Sequence, residues 1–173
     1  MPMPTTIPKL PLAPASADGA PFVAALAPER AALFAQYAAD MPLFHHLGMT
    51  LDDIATDRAR IGIGHRIELA GPSGSLHGGF CATIIDTAVG FAMASTMVEG
   101  YVVMTVAMDT KFFKPLFKGR AVAEAVITKK GRQIVHGEVS VTDEAGALLA
   151  KGTCIYMPVL VADKIKAAQS RAA

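Results

Sequence analysis

Apolar and polar residues change their spacing several times along this chain, and each change marks an element. Residues 1–26 are rich in Pro, Ala and Thr and show no period, so they read as a mobile leader or an extended arm. From Pro28, the run PERAALFAQYAAD places Pro and Glu29 in a first turn and Ala32, Leu33, Phe34 and Tyr37 at helical spacing. That predicts a short amphipathic helix. Beyond MPLFHHLG, residues 49–69 alternate imperfectly around Asp52, Asp53 and Asp57, as a hairpin of two strands would. LAGPSG is turn chemistry, in which Gly and Pro supply backbone angles that regular structure excludes. From about Gly79 to Met97 the chain is apolar on every side except for one acid, which predicts a long helix buried all round. Strand-like runs follow at 102–113, 119–130, 132–142 and 148–157, divided by Lys114-Pro115, Lys130-Gly131 and a hairpin turn at Asp143–Gly146. The tail ADKIKAAQSRAA is polar and helix-prone.

Strands that follow one another against a single buried helix define an α+β layout, an antiparallel sheet wrapped around one long central helix. The pattern divides the chain into a leader (1–26), one folded domain (27–158) and a tail (159–173). A length of 173 residues suits one compact domain rather than two. Lys plus Arg number 16 against 15 Asp plus Glu, so no overall field draws in nucleic acid or an acidic membrane. Hydrophobic residues reach 52% with aromatics at 6% and no Trp, so the core is aliphatic and the surplus is enough to cover a subunit interface. Cys81 and Cys154 sit in apolar settings, which fits reduced thiols of a cytoplasmic protein better than a disulfide or a zinc site.

Asp86 is the anomaly of the central helix, because an acid among apolar residues is costly to bury unless it is paired or faces a cavity. One reading is structural: the carboxylate binds a neighbouring hydroxyl such as Thr83 or Thr87. Another is a membrane-spanning helix, which the lone central acid and the flanking strands disfavour. The third is a carboxylate base or nucleophile in a partly dry cleft. His77-Gly78-Gly79 stands where the helix begins, where backbone N–H groups lack helical partners and can hold a carbonyl oxygen or an oxyanion. Gly78 and Asp86 are eight residues apart, about 12 Å along the helix axis, too far for one Asp side chain to span. If both act on one carbonyl, they come from different subunits, and a two-fold dimer then carries two equivalent sites.

The run LHGGFCATIIDTA resembles the signature of hot-dog-fold acyl-CoA thioesterases of the PaaI (phenylacetyl-CoA thioesterase-like) type. MPLFHHLGMTLDDI, MDTKFFKPLFKGRAVAEAVITKKGR and VTDEAGALLAKGTCIYM extend the likeness over residues 41–158. The resemblance implies that Asp86 activates water or attacks the thioester carbonyl, that the Gly78 N–H polarises this carbonyl, and that His77 has a positioning role. It places Thr105 where relatives carry a Ser or Thr that orients the water. It also puts Gly79 and Phe80 against the substrate. Many relatives carry an Asn six residues before the histidine; here that position is Gly71 and the chain has no Asn, which implies a different substrate, a weaker enzyme, or compensation by Ser73 or Ser75. The implied substrate is an acyl-CoA, with no metal or redox cofactor, in a homodimer or homotetramer. The acyl slot is expected along Phe80, Ile84, Met93 or Met97. Lys111, Lys114, Lys118, Arg120, Lys129, Lys130 and Arg132 are candidates for the coenzyme A phosphates or a solvated face. The rivals are a non-catalytic acyl-CoA or aryl-ligand binding protein of the same fold, and a hot-dog dehydratase or hydratase.

Overall fold

The computed structural model describes residues 6–161. Two helices, α1 (Pro28–Asp40) and α2 (Pro42–Leu47), precede a hairpin of β1 (Met49–Ala55) and β2 (Arg58–Gly64). The central helix α3 (Gly78–Ala94) is followed by β3 (Tyr101–Phe112), β4 (Arg120–Lys130), β5 (Val135–Asp143) and β6 (Leu148–Leu160). All six strands form one antiparallel sheet in the order β1-β2-β4-β5-β6-β3, so β1 and β3 are its edges. Helix α3 lies across one face of this sheet, the α+β arrangement expected of a hot-dog fold.

Period-two alternation explains how the sheet receives the helix. Ala59, Ile61 and Ile63, then Ala121, Ala123 and Ala125, then Val135, Val139 and Val141 are buried, while intervening positions such as Glu124, Glu138 and Lys151 face outward. Small residues let the helix come close. A Cβ built on Gly137 would stand 2.6 Å from Val89 Cγ1, and one on Gly152 2.6 Å from Ile85 Cγ2. Both neighbours are core side chains with no room to move. Gly152→Ala is therefore expected to lower stability by about 1–3 kcal/mol, the scale of overpacking a filled core, with an earlier urea midpoint as the measurement. A midpoint equal to wild type would show that the helix yields at this point.

Several elements differ from the sequence pattern for physical reasons. The β1–β2 turn is confined to Thr56 and Asp57, where Asp57 takes φ +58 and its carboxylate receives Lys130 Nζ at 2.7 and 2.8 Å. Asp52 and Asp53 belong to β1, beside a bulge. Residues 67–69 form a 3-10 turn rather than the end of a strand. Strand β5 starts at Val135, because Gly131 N–H bonds back to Ile134 O at 2.9 Å and closes a turn first. Helix α2 has no counterpart in the sequence reading, although Pro42 starts it and Gly48, at φ +64, stops it. In α1 the buried side chains are Arg30, Phe34 and Ala38; Tyr37 is half-buried, while Ala32 and Leu33 face solvent. The Asp143–Gly146 hairpin turn is present, with Asp143 Oδ1 accepting the N–H of Ala145 and Ala147. Strand β6 runs to Leu160, and the rest of the tail, from 162 on, lies outside the described residues.

Candidate active site

The central helix is not buried all round. Gly79, Thr83, Asp86, Thr87 and Gly90 recur at helical spacing and form a stripe that stays open, while Ile84, Ile85, Ala88 and Val89 are fully buried. Asp86 thus stands on the open side. Thr83 and Thr87 do not bind it: their hydroxyls donate to Gly79 O (2.9 Å) and Thr83 O (2.7 Å) of the same helix.

Two other hydroxyls meet the carboxylate. Thr105 Oγ1 donates to Asp86 Oδ1 at 2.9 Å, and Tyr156 OH reaches the same oxygen at 2.5 Å and the backbone carbonyl of Asp86 at 2.6 Å. Thr105 and Tyr156 face each other across β3 and β6, beside a bulge at Val106. Bulges of this kind re-aim side chains next to a site. Burial, and then the neighbouring carboxylate, push the Tyr156 phenol far above its ordinary range, so it remains a donor. Asp86 Oδ2 has no protein partner among the described residues, and the Asp86 residue lines a cavity of about 240 Å³ together with Thr87, Gly90, Thr105 and Tyr156. Cys154 is buried, and burial followed by the Asp86 charge raises its thiol to about 11, which keeps it protonated and inert at neutral pH.

The helix start builds a separate cavity of about 360 Å³, lined by Ser75, Gly78, Cys81, Phe112, Phe113 and Lys114 among others. His77 is the N-cap: its Nδ1 accepts Gly79 N–H at 3.0 Å, which assigns the neutral ring with its proton on Nε2. Phe80 N–H bonds to His77 O at 2.9 Å, whereas Gly78 N–H has no partner among the described residues. Of the first-turn donors, Gly78 is therefore the one left for a ligand, and the Gly79 N–H is already engaged. Gly71 lies against the His77 ring, where an added Cβ would sit 3.3 Å from Cδ2, and its N–H bonds to Ser75 O at 2.8 Å. Ser73 and Ser75 share a hydroxyl hydrogen bond of 2.9 Å, and Ser75 opens onto the Gly78 cavity.

Of the residues expected along the acyl slot, three lie in the core. Ile84, Met93 and Met97 are fully buried in the core and reach neither cavity, and Phe80 packs half-buried near His77. Leu10, Tyr37, Met41, Leu43, Phe91 and Val103 line the Asp86 cavity instead. Four of the candidate cations are engaged: Lys111 with Asp109, Lys114 with Asp143, Arg120 with Asp52, and Lys130 with Asp57. Burial alone would raise the Asp52 carboxyl, but the hydrogen bonds from Arg120 and Thr50 together with the Arg120 and Arg60 charges outweigh it and hold the group below its usual range. Lys118, Lys129 and Arg132 carry no ion pair among the described residues, and Lys118 lines a further cavity of about 460 Å³ with Phe117. Tyr156 escaped the sequence reading, because a lone Tyr in a strand looks like core; its signal was a buried hydroxyl in need of an acceptor.

Comparison with known proteins gives this site its class. The sequence profile of the thioesterase superfamily matches residues 73–165, which hold both His77-Gly78-Gly79 and Asp86, and the chain belongs to that family. It is a thioester hydrolase. A protein of Halobacterium salinarum that carries a provisional esterase name is 31% identical over 132 residues, covering 73% of this chain and 87% of its own. A thioesterase family protein from Silicibacter pomeroyi superposes with a TM-score of 0.67 at 26% identity, covering 73% of this chain and 95% of its own. A variant of the phenylacetic acid degradation protein PaaI from Thermus thermophilus gives 0.61 at 26%, covering 67% and 97%. Among the described residues no helix is long and apolar enough to cross a membrane.

Proposed function

We propose that the enzyme hydrolyses acyl-CoA thioesters to a free acid and coenzyme A at a site completed by two subunits. The observation that carries this reading is the state of the Asp86 carboxylate: Oδ1 is held by Thr105 and Tyr156, while Oδ2 has no protein partner among the described residues and Asp86 borders a cavity. A carboxylate fixed through one oxygen presents the other as base for a water, or as nucleophile, in a constant direction. Thr105 and Tyr156 act as positioning residues. The thioester oxygen is taken by the Gly78 N–H of the partner, at the positive end of a helix, with His77 ordering the turn and Ser75 in the place of the missing Asn. Lys118, which has no ion pair among the described residues, is a candidate for the coenzyme A phosphates. The reaction so written needs no metal or redox cofactor, and the two reduced thiols fit the cytoplasm.

Strand β3 supports the shared site. It is an unpaired edge twelve residues long, with Met104, Val106 and Met108 between 41 and 54% exposed, and such an edge calls for cover. Thr105 on it touches Asp86, while Phe112 at its end lies against Gly78, where an added Cβ would meet the ring at 3.3 Å. Pairing two copies of β3 antiparallel about a centre between Met108 and Asp109 sets Phe112 of one opposite Thr105 of the other. The Gly78 of one subunit then approaches the Asp86 of its partner, in a dimer or a dimer of dimers.

Release of free thiol from a broad panel of acyl-CoAs tests the function, and binding throughout that panel with no turnover would return the non-catalytic rival. The Met104→Lys/Met108→Lys double variant is expected to sediment as a folded monomer and to lose at least about tenfold in activity, regaining it at high protein concentration. Full activity in a monomer would remove the shared site.

A further inference from the structure

The cavity behind Asp86 has a wall that the family match does not include. Leu10 comes from the arm, Tyr37 from α1, and Met41 and Leu43 from the start of α2, all before residue 73. The arm is fixed where it carries Leu10. Ala13 pairs with the segment after α3, its N–H bonding to Met97 O at 3.0 Å and its carbonyl accepting Glu99 N–H at 2.7 Å. Arg30 Nε donates to Pro11 O at 3.1 Å, and Leu12 N–H turns back onto Leu10 O at 2.9 Å. Leu10 is therefore held by its neighbours on both the arm and α1 rather than left to swing.

Two properties of the cavity define what fits. Its volume of about 240 Å³ lies below the ~300–1,000 Å³ that drug-sized ligands occupy. No Lys, Arg or His lines it, and Asp86 does, so an acyl group with its own carboxylate would bring an unpaired charge beside a like one. We propose that Leu10, with Tyr37, Met41 and Leu43, closes the acyl pocket and restricts the enzyme to short neutral acyl groups, a few-carbon chain or a single ring. This inference rests on Asp86 marking the site of thioester hydrolysis.

The experiment compares kcat/KM for straight-chain acyl-CoAs from acetyl to palmitoyl, together with phenylacetyl- and succinyl-CoA. The proteins are the full-length wild type, Leu10→Ala and Leu43→Trp. Leu43 is 41% exposed, so its replacement leaves the fold intact even if Leu10→Ala does not. Wild type is expected to favour short neutral groups. Opening the wall with Leu10→Ala should move the long-to-short ratio up by about tenfold or more, and Leu43→Trp should move it down by a similar factor, the scale of one or two methylenes in a fitted pocket. Profiles that superimpose in the folded variants, or a wild-type preference for palmitoyl or succinyl groups, would overturn the proposal. The ratio is independent of how Asp86 acts: undiminished turnover by Asp86→Asn would sink the catalytic reading and leave the ratio informative. If no member of the panel is hydrolysed, the same ratio is read from binding by calorimetry, and an absence of binding also overturns the wall.

Discussion

Asp86→Asn is expected to fold and assemble as wild type does while hydrolysis of every acyl-CoA falls at least about a hundredfold, the loss typical of a positioned acid or base. The amide is nearly isosteric and still accepts through its oxygen, so Thr105 and Tyr156 keep a partner for the hydrogen bonds they make to Oδ1. What disappears is the charge of the carboxylate, whose second oxygen would take a proton from water or attack the carbonyl. The fall should appear in kcat with little change in KM, because the carboxylate is assigned to the chemical step and not to holding coenzyme A. A melting temperature equal to wild type would separate this loss from unfolding. Wild-type rates in the folded variant would show that Asp86 only fills space.

Gly78→Pro should be the second severe lesion, with a loss of about 10²–10³ in kcat, the measured scale for removing one oxyanion donor. Proline deletes the backbone N–H that has no protein partner, and it does so at the first position of α3, where helices accept it. The preceding residue is already suited to it, since His77 has ψ 135 and extended backbone. The new ring crowds Phe112, whose nearest atoms lie 3.3 and 3.4 Å from where a Cβ would go. Gly78→Ala is the control: it keeps the N–H, crowds Phe112 in the same way, and should retain most of the activity. Equal losses in the two variants would assign the effect to crowding.

The parts of the fold that announce themselves are those whose residues repeat. Strands β3 to β6 and helix α3 were legible within a few residues, because alternation or an unbroken apolar run persists for nine residues or more in each. Helix α2 is six residues long, too short for a period to show, and only its Pro and Gly punctuation gives it away. The separation of Gly78 from Asp86 could be read because both lie on one helix of known rise. The proposed acyl wall could not. Leu10 lies in an aperiodic arm, Tyr37 on α1, Leu43 on α2 and Met41 between those helices, so their meeting beside Asp86 is a property of tertiary packing alone. In α3 itself every side looks apolar, and periodicity cannot tell Ile84, which packs in the core, from the neighbours that border the cavity. The small and polar stripe through Gly79, Thr83, Asp86 and Gly90 was the usable sign of the open face.

Mixing the two inactive proteins, Asp86→Asn and Gly78→Pro, after dissociation and reassembly tests the central claim most directly. If each site takes its acid from one subunit and its N–H donor from the other, a heterodimer holds one site with both lesions and one with neither. Random reassembly then restores about one quarter of the wild-type rate from two proteins that are each nearly dead. If each site lies within one subunit, every site in the mixture keeps one lesion. Activity that stays at the level of the separate variants, with heterodimers demonstrably formed, would contradict the shared site.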